Sequence, residues 1–283
     1  MKIAILITCF NRQDKTIRCL KRLYELTDIE KYEVGVFVVD GGSNDGTPTA
    51  IRDLFPKVHI EIHPGLYWAG GMRQAWKNAL ATNEYDFLWL VNDDTYLDKN
   101  SLNVLLSTHD YSIKKYGMGG IYTGCTKDPH SGKLTYGAKR LISPDRLKGV
   151  LMPPNGNVQE CDLCNGNSLL VSREVFESIG GLYTKCTHGI ADWEYSLRAK
   201  RRGFPVLMAP EFIGECERDH GKNWMSQGKS LKERLAYMNS PKGLSYKEFM
   251  IFTKEYFPKD YIPMKVKMWT KTLFPIIYDL IKR

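Results

Sequence analysis

Two hydrophobic rhythms alternate along the first third of the chain. Ile3-Ala4-Ile5-Leu6-Ile7 is an unbroken, largely β-branched apolar run, the pattern of a strand covered on both faces. Ile17, Leu20, Leu23 and Tyr24 then recur at three- and four-residue spacing, which predicts a helix. Val34 to Val39 is a second strand that ends in a turn. A short helix from Pro48, a strand over Val58 to Ile62, a helix over Met72 to Ala81 and a strand over Phe87 to Val91 follow. Strand and helix alternating in this way predict an α/β fold with a mostly parallel sheet, right-handed crossovers and helices on both faces. Ligands in such sheets sit at the carboxyl ends of the strands.

Beyond Asn100 the rhythm changes. Gly117 to Lys139 is rich in Gly, Thr, Tyr and Lys and reads as hairpins that wall in the strand ends. Ser168 to Val171 is a further strand. It leads into a helix from Ser172 that stops at Gly180-Gly181, where a left-handed cap is available. Ala191 to Arg202 is another helix, ended by Gly203. Residues 221–283 read as mostly helical, punctuated by Pro241, Pro258 and Pro263. The expected division is therefore 1–220, split near residue 100, followed by a helical C-terminal extension over 221–283.

Composition narrows the class. The chain has 283 residues, 43% hydrophobic and 25% charged, with a net charge of +8. That balance excludes wholesale disorder, a collagenous repeat and a disulfide miniprotein. Seven cysteines are scattered rather than paired. The C-x-x-C of Cys161-Asp162-Leu163-Cys164 lies in a segment that reads as extended, which would send its two side chains to opposite faces; it predicts small buried residues more readily than half a zinc site. A pI near 9.0 fits nucleic acid, an anionic membrane surface or a phosphorylated substrate, but no nucleic-acid motif is present. Ile3 to Phe10 is too short to span a membrane and carries no small-residue cleavage site. This predicts neither a signal peptide nor an anchor, and hence a cytoplasmic protein.

Two constellations bear on chemistry. The turn Asp40-Gly41-Gly42-Ser43-Asn44-Asp45-Gly46-Thr47 places an acid at a strand's carboxyl end and two glycines where a backbone can approach a ligand closely. It lacks the G-x-G-x-x-G of a dinucleotide fold and the G-K-[ST] of a phosphate loop, which counts against an oxidoreductase or an ATPase. The strand Phe87 to Val91 runs directly into Asn92-Asp93-Asp94-Thr95. Adjacent carboxylates at a buried strand end need a cation or donors to compensate them, and a hard divalent metal bridging to a diphosphate would serve. A helix cap with surface acids also fits these residues.

In combination, the segments Ile7-Thr8-Cys9-Phe10-Asn11-Arg12, Val38 to Thr47, Gly71-Met72-Arg73-Gln74, Asn92-Asp93-Asp94 and Gly189 to Arg198 resemble, in order, the motifs of family-2 inverting glycosyltransferases of the GT-A fold. The resemblance covers roughly residues 1 to 220. Tyr67-Trp68-Ala69-Gly70-Gly71 together with Asn92 to Thr95 is similar to members from bacterial polysaccharide biosynthesis clusters. The resemblance implies a nucleotide-binding half over 1–100 and an acceptor half over 101–220. It also implies that Thr8, Phe10, Asp40 and Arg73 surround the base and ribose, with Asp93 near the ribose. Asp94, matching the last acid of the D-x-D motif, would hold Mg²⁺ or Mn²⁺ against the donor diphosphate. Asp192 aligns with the catalytic base, and His220 follows the last sheet strand, where a residue often completes the metal shell. The chain departs from the family pattern at Asn92, Gln74 and Ala191.

The chemistry these residues imply is a single displacement. A carboxylate takes the proton of an acceptor hydroxyl as it attacks the anomeric carbon, and positive charge offsets the departing diphosphate. At Asp192 an acid favoured by the helix dipole is the plainer alternative, and Glu194, two residues on, would face elsewhere. Arg218 and Lys222 would steady phosphates or stand as solvated charge. Tyr67, Trp68, Trp193 and Trp224 would stack on sugars or pack in the core. The expected enzyme is a hexosyl- or deoxyhexosyltransferase that joins a nucleotide-sugar donor to a glycan or lipid-linked glycan acceptor. The competing readings are a sugar-1-phosphate nucleotidyltransferase and a non-catalytic nucleotide-sugar-binding module; the former would want a glycine-rich basic loop where Thr8 to Arg12 stands. Finally, Val266, Trp269, Leu273, Ile276, Ile277 and Leu280 recur at helical spacing among Lys265, Lys267, Lys271, Lys282 and Arg283. This pattern predicts either a docked terminal helix or peripheral contact of residues 262–283 with the inner face of the plasma membrane.

Overall fold

Ile3, Ala4, Ile5, Leu6 and Ile7 are all fully buried, because strand β1 (Lys2–Cys9) pairs in parallel with β2 (Glu33–Asp40) on one side and β4 (Phe87–Asn92) on the other. In this computed structural model, which describes residues 1–218 and 229–276, the strand's period of two divides the core. Ala4 and Leu6 join Phe37, Val39, Met72, Ala75 and Leu90 on one face. Ile3, Ile5 and Ile7 join Leu20, Leu23, Val38, Trp89 and Leu105 on the other. A run apolar at every position is what a sheet covered twice requires. The covering helices are α1 (Gln13–Tyr24), α2 (Thr47–Leu54), α3 (Trp68–Thr82) and α4 (Ser101–Tyr116).

The remaining strands are β3 (His59–Ile62), β5 (Tyr96–Leu97), β6 (Ile121–Lys127), β7 (Leu134–Tyr136), β8 (Ala138–Leu141), β9 (Gly149–Leu151), β10 (Gln159–Glu160), β11 (Leu163–Cys164), β12 (Ser168–Ser172) and β13 (Val206–Glu215). The main sheet runs β10-β13-β6-β12-β4-β1-β2-β3. Strand β12 is reversed against both β4 and β6, so β1, β2, β4, β6 and β13 present their carboxyl ends to one rim. The expected hairpin forms between β6 and β7, while β11, β8 and β9 make a separate small sheet beside that rim. Helices α5 (Arg173–Ile179) and α6 (Ala191–Arg201) end where Gly180 and Gly203 take positive φ.

Three local outcomes differ from the sequence pattern. Helix α3 starts four residues before Met72, because its first N–H groups find partners outside the helix: Trp68 N donates to His188 Nδ1 (3.3 Å) and Ala69 N to the Thr187 carbonyl (3.1 Å). Gly71 fits this helix against β1, since a Cβ there would lie 2.5 Å from Thr8 Cγ2. The Cys161 and Cys164 side chains are not sent apart. The chain leaves β10 and joins the small sheet between them, Cys161 N donating to Val206 O and Asp162 N to Lys139 O. That bend brings the two buried sulfurs to 3.7 Å. Pro263 does not interrupt a helix; it lies in the first turn of α9 (Tyr261–Leu273), where its missing N–H costs nothing.

The C-terminal helices α7 (Leu231–Asn239), α8 (Tyr246–Tyr256) and α9 pack on one another. Phe252, Tyr256 and Phe257 share a cluster with Leu163 and Leu197. The Asp260 carboxylate accepts from Leu147 N (2.5 Å) and pairs with Arg146 (3.0 Å).

Candidate active site

Register places the candidate residues at one level of the rim. Cys9 stands opposite Asp40 and Thr8 opposite Asn92. The two turns that follow β1 and β2 are knitted together: Asn11 N donates to Ser43 Oγ (2.8 Å), Asn44 N to Asn11 Oδ1 (2.9 Å) and Gln13 N to Asp45 Oδ2 (3.0 Å). Asp40 is the anchor. Its Oδ1 accepts from the backbone of Gly42 (2.9 Å) and Ser43 (2.7 Å), and its Oδ2 from Ser43 Oγ (2.5 Å) and the Cys9 thiol (3.4 Å). All four acceptor positions of the carboxylate are thereby used, so Asp40 shapes the 41–43 turn. Burial and the charge of Asp40 push the Cys9 thiol up, which keeps it protonated as the donor. Phe10 lies beside Gly41 with 43% of its surface exposed, and the Lys242 ammonium sits 5.1 Å from its ring centroid. An exposed ring next to a bare backbone is a face on which a nucleobase can stack.

Arg73 is used differently from the expectation. Its Nη1 donates to the carbonyls of Tyr183 (3.0 Å) and Cys186 (2.8 Å), tying α3 to the loop that precedes Asp192. Glu248 of α8 holds the same loop from the other side, accepting from Thr187 N (3.0 Å) and Thr187 Oγ1 (2.5 Å).

At the end of β4 the acid pair is buried, Asp93 at 6% and Asp94 at 9% exposure. The Arg12 guanidinium lies between them, 2.7 Å from Asp94 Oδ2 and 3.4 Å from Asp93 Oδ1. Burial, then the neighbouring Asp94, push Asp93 up to about 7, against the opposing pull of Arg12 and Thr16. The compensating cation at this pair is thus a protein side chain that sequence reasoning placed in a motif without giving it a role. Asp94 Oδ1 faces the Cys216 thiol at 3.7 Å. Among the described residues no group of three or more His, Cys, Asp or Glu is arranged to hold a metal ion, and His220 lies outside the described residues. One or two carboxylates with substrate phosphates completing the shell is nevertheless the usual site for Mg²⁺, and Asp94 with Asp93 fits that donor set.

Asn92 accepts a 2.7 Å hydrogen bond from Trp68 Nε1. The far edge of the same indole packs on Gly166, where a Cβ would come within 2.3 Å of the ring. Gly166 N in turn donates to Asp192 Oδ2 (2.9 Å). This Asn92–Trp68–Gly166–Asp192 chain joins the acid strand to the candidate base.

Asp192 sits in the first turn of α6, partly buried, with Oδ1 accepting from Trp193 N (2.8 Å). Burial raises its pKa, opposed by these N–H donors and by the charge of Lys139. The residue two before it, Ile190, is held at φ 72°, a region a β-branched side chain rarely adopts. Glu194 faces away, buried against Arg198 (2.8 Å) and the Tyr256 hydroxyl (2.7 Å), as helix spacing predicts. Lys139 was missed: its ammonium lies 4.2 Å from the Trp193 ring centroid. Lys222 and Trp224 lie outside the described residues. A cavity of about 520 Å³ lined by Lys115, Arg140, Glu160 and Lys200 opens elsewhere, and none of the expected site residues lines it.

Known proteins match this arrangement at two levels. Among solved structures, a mannosyltransferase from Pyrobaculum calidifontis in complex with GDP-Man and Mn²⁺ superposes with a TM-score of 0.54 at 18% identity, covering 78% of this chain. The chain spans 58% of that protein's length. S. aureus TarS 1-349 in complex with UDP-GlcNAc superposes with a TM-score of 0.57 at 14% identity, covering 96% of this chain and 80% of TarS 1-349. At these identities the likeness is one of fold, the GT-A fold. No curated protein matches the chain significantly. Residues 4–160, more than half of the chain, match the family model for glycosyl transferase family 2, and the chain belongs to that family of glycosyltransferases.

Proposed function

We propose that the protein transfers a hexosyl or deoxyhexosyl group from a nucleotide-sugar donor to a hydroxyl of a glycan or lipid-linked glycan, with inversion at the anomeric carbon, as a step in surface polysaccharide synthesis. The observation that carries this reading is the Asn92–Trp68–Gly166–Asp192 chain, which fixes a carboxylate of raised pKa on the same rim as the acid pair. The nucleoside would lie along Thr8, Phe10 and the 41–43 turn built by Asp40, with Arg73 fixing the loop over it. Asp94 would hold Mg²⁺ or Mn²⁺, whose chemistry there is to offset charge on the leaving diphosphate, and Asp93 would lie near the ribose. The Arg12 guanidinium already brings positive charge to that point. Asp192 would accept the acceptor hydroxyl's proton while its oxygen bonds to the anomeric carbon and the carbon–oxygen bond to the diphosphate breaks. A base with a raised pKa is the stronger proton acceptor for this step. The structural relatives bound to GDP-Man and UDP-GlcNAc support a nucleotide-sugar donor. The test is a screen of UDP-, GDP- and dTDP-sugars for stabilisation that depends on Mn²⁺. A donor that raises the melting temperature only with the metal supports the reading, and stabilisation by none, with or without metal, contradicts it.

The site of action is proposed to be the inner membrane face. No helix among the described residues is long and apolar enough to cross a membrane. In α9, however, Ile262 (61% exposed), Val266 (58%) and Leu273 (40%) form one exposed stripe that continues into Phe274 and Ile276. With Lys265, Lys267 and Lys271 on the same segment, that stripe suits the headgroup region of an anionic bilayer. Ile277, Leu280, Lys282 and Arg283 lie outside the described residues. Salt-sensitive co-sedimentation with anionic vesicles tests it.

A further inference from the structure

Two lysines flank the acceptor side and have different fates. Lys200 is paired with Asp162 and also donates to the Cys161 carbonyl (3.0 Å). Lys139 has no such partner. Its backbone is fixed at the centre of the small sheet, pairing with Leu163 of β11 and Leu151 of β9, and its carbonyl accepts from Asp162 N (2.9 Å). Its side chain is partly buried, with the ammonium over the Trp193 ring. Among the described residues no oxygen lies within hydrogen-bond distance of that ammonium. Two charges act on it, Asp192 attractively and Arg218 repulsively.

Service to Asp192 does not account for this ammonium. Both Asp192 oxygens are already taken by backbone N–H groups of Gly166 and Trp193, and no hydrogen bond joins lysine and aspartate. A protein rarely strips part of the water from an ammonium and supplies it with no acceptor. An aromatic face holds such a cation in place without satisfying its N–H donors. Arg218 is exposed, and its charge is the one that repels the Lys139 ammonium.

We infer that the acceptor carries an anionic group, phosphate or carboxylate, close to the reacting hydroxyl, and that Lys139, assisted by Arg218, binds it. The inference rests on the reading of Asp192 as the base, since that reading places the acceptor here. The anion would replace the water the ammonium has lost and relieve its repulsion from Arg218. Trp193 beneath it would offer its remaining face to the sugar ring.

The test uses three probes of one scaffold, glucose, glucose 6-phosphate and glucuronic acid, with affinity measured by saturation-transfer NMR on the full chain in the presence of UDP or GDP. The wild type is expected to bind at least one anionic probe about tenfold more tightly than glucose, the worth of one charge-assisted hydrogen bond. Preference for the phosphate or for the carboxylate identifies which anion the subsite suits. Lys139→Met, which keeps the length and the contact with Trp193, should erase that preference and leave glucose affinity and nucleotide affinity unchanged. Arg218→Ala should reduce the preference in part. Equal binding of all three probes by the wild type, or a preference that survives in Lys139→Met, overturns the inference. Its failure is separable from failure of the underlying reading: Asp192→Asn that still turns over donor normally removes the base, whereas a dead Asp192→Asn with an indifferent Lys139→Met removes only the anionic subsite.

Discussion

Replacing Asp192 by Asn separates the role of a base from that of a helix-end acid. The amide keeps the shape but has one acceptor oxygen where the carboxylate has two, and both are in use, by Gly166 N at 2.9 Å and Trp193 N at 2.8 Å. One bond is lost and an NH₂ is turned toward an N–H, which costs about 1–3 kcal/mol. Removal of a buried charge offsets this. The folded-state pKa is raised by burial, so the ionised carboxylate destabilises the fold. That penalty is absent below the unfolded pKa of about 3.9, grows as pH rises from there to the folded pKa and is constant above it. Near neutral pH the variant should therefore melt within a few degrees of the wild type. Turnover should fall by roughly two to four orders of magnitude, about 3 to 5 kcal/mol of barrier, while donor affinity stays unchanged by calorimetry. A profile of kcat/KM against pH should show in the wild type an acid limb above the ordinary carboxylate range that is missing from the variant. Asp93, pushed to about 7, also titrates here, and its limb should survive in the variant's donor affinity. An Asp192→Asn enzyme with more than about a tenth of wild-type turnover, or one outperforming Glu194→Gln, refutes the assignment.

Asp94→Ala should abolish Mn²⁺-dependent donor binding without unfolding the chain; unchanged affinity with and without Mn²⁺ in calorimetry counts against a cation at this strand end. Trp68→Phe removes the indole donor and leaves Asn92 unpaired, costing about 1–2 kcal/mol in denaturant unfolding and lowering transfer more than donor affinity. Gly71→Ala drives a methyl to 2.5 Å from Thr8 Cγ2 and should destabilise by about 1–3 kcal/mol, visible as a lowered melting temperature. Ile262→Glu with Val266→Glu changes two exposed side chains and should abolish vesicle co-sedimentation while leaving the melting temperature unchanged; undiminished binding returns α9 to a helix that only packs on its own domain.

What was legible in the sequence was whatever depends on local period and order. The strands of the first third, the hairpin after residue 117, the glycine stops at 180 and 203 and the placement of Glu194 on a different helix face from Asp192 all follow from spacing alone. Side-chain partners far apart in sequence were not legible. Arg12 reaches Asp94 across 82 residues and Trp68 reaches Asn92 across 24; no periodicity encodes either contact, although a buried acid pair announces that some cation must come. The start of α3 was hidden because its first N–H groups are satisfied by Thr187 and His188, more than a hundred residues away. The resemblance implied Asp40 beside the base and ribose, while its position at a strand end fits a helix-entry turn as readily as a site. In the structure the same position lets it saturate itself on its own turn. Cys161 and Cys164 were expected on opposite faces because extended spacing says so, and the chain's change of sheet between them reverses that.

The first-formed anomer tests the whole arrangement most directly. Proton NMR during turnover of whichever α-linked nucleotide sugar the thermal-shift screen selects, with water or an added sugar as acceptor, should show the β-configured product first. With water as acceptor mutarotation should follow, and Asp192→Asn should produce no signal. An α-configured product at early times would mean retention and contradict the single-step inversion proposed for Asp192.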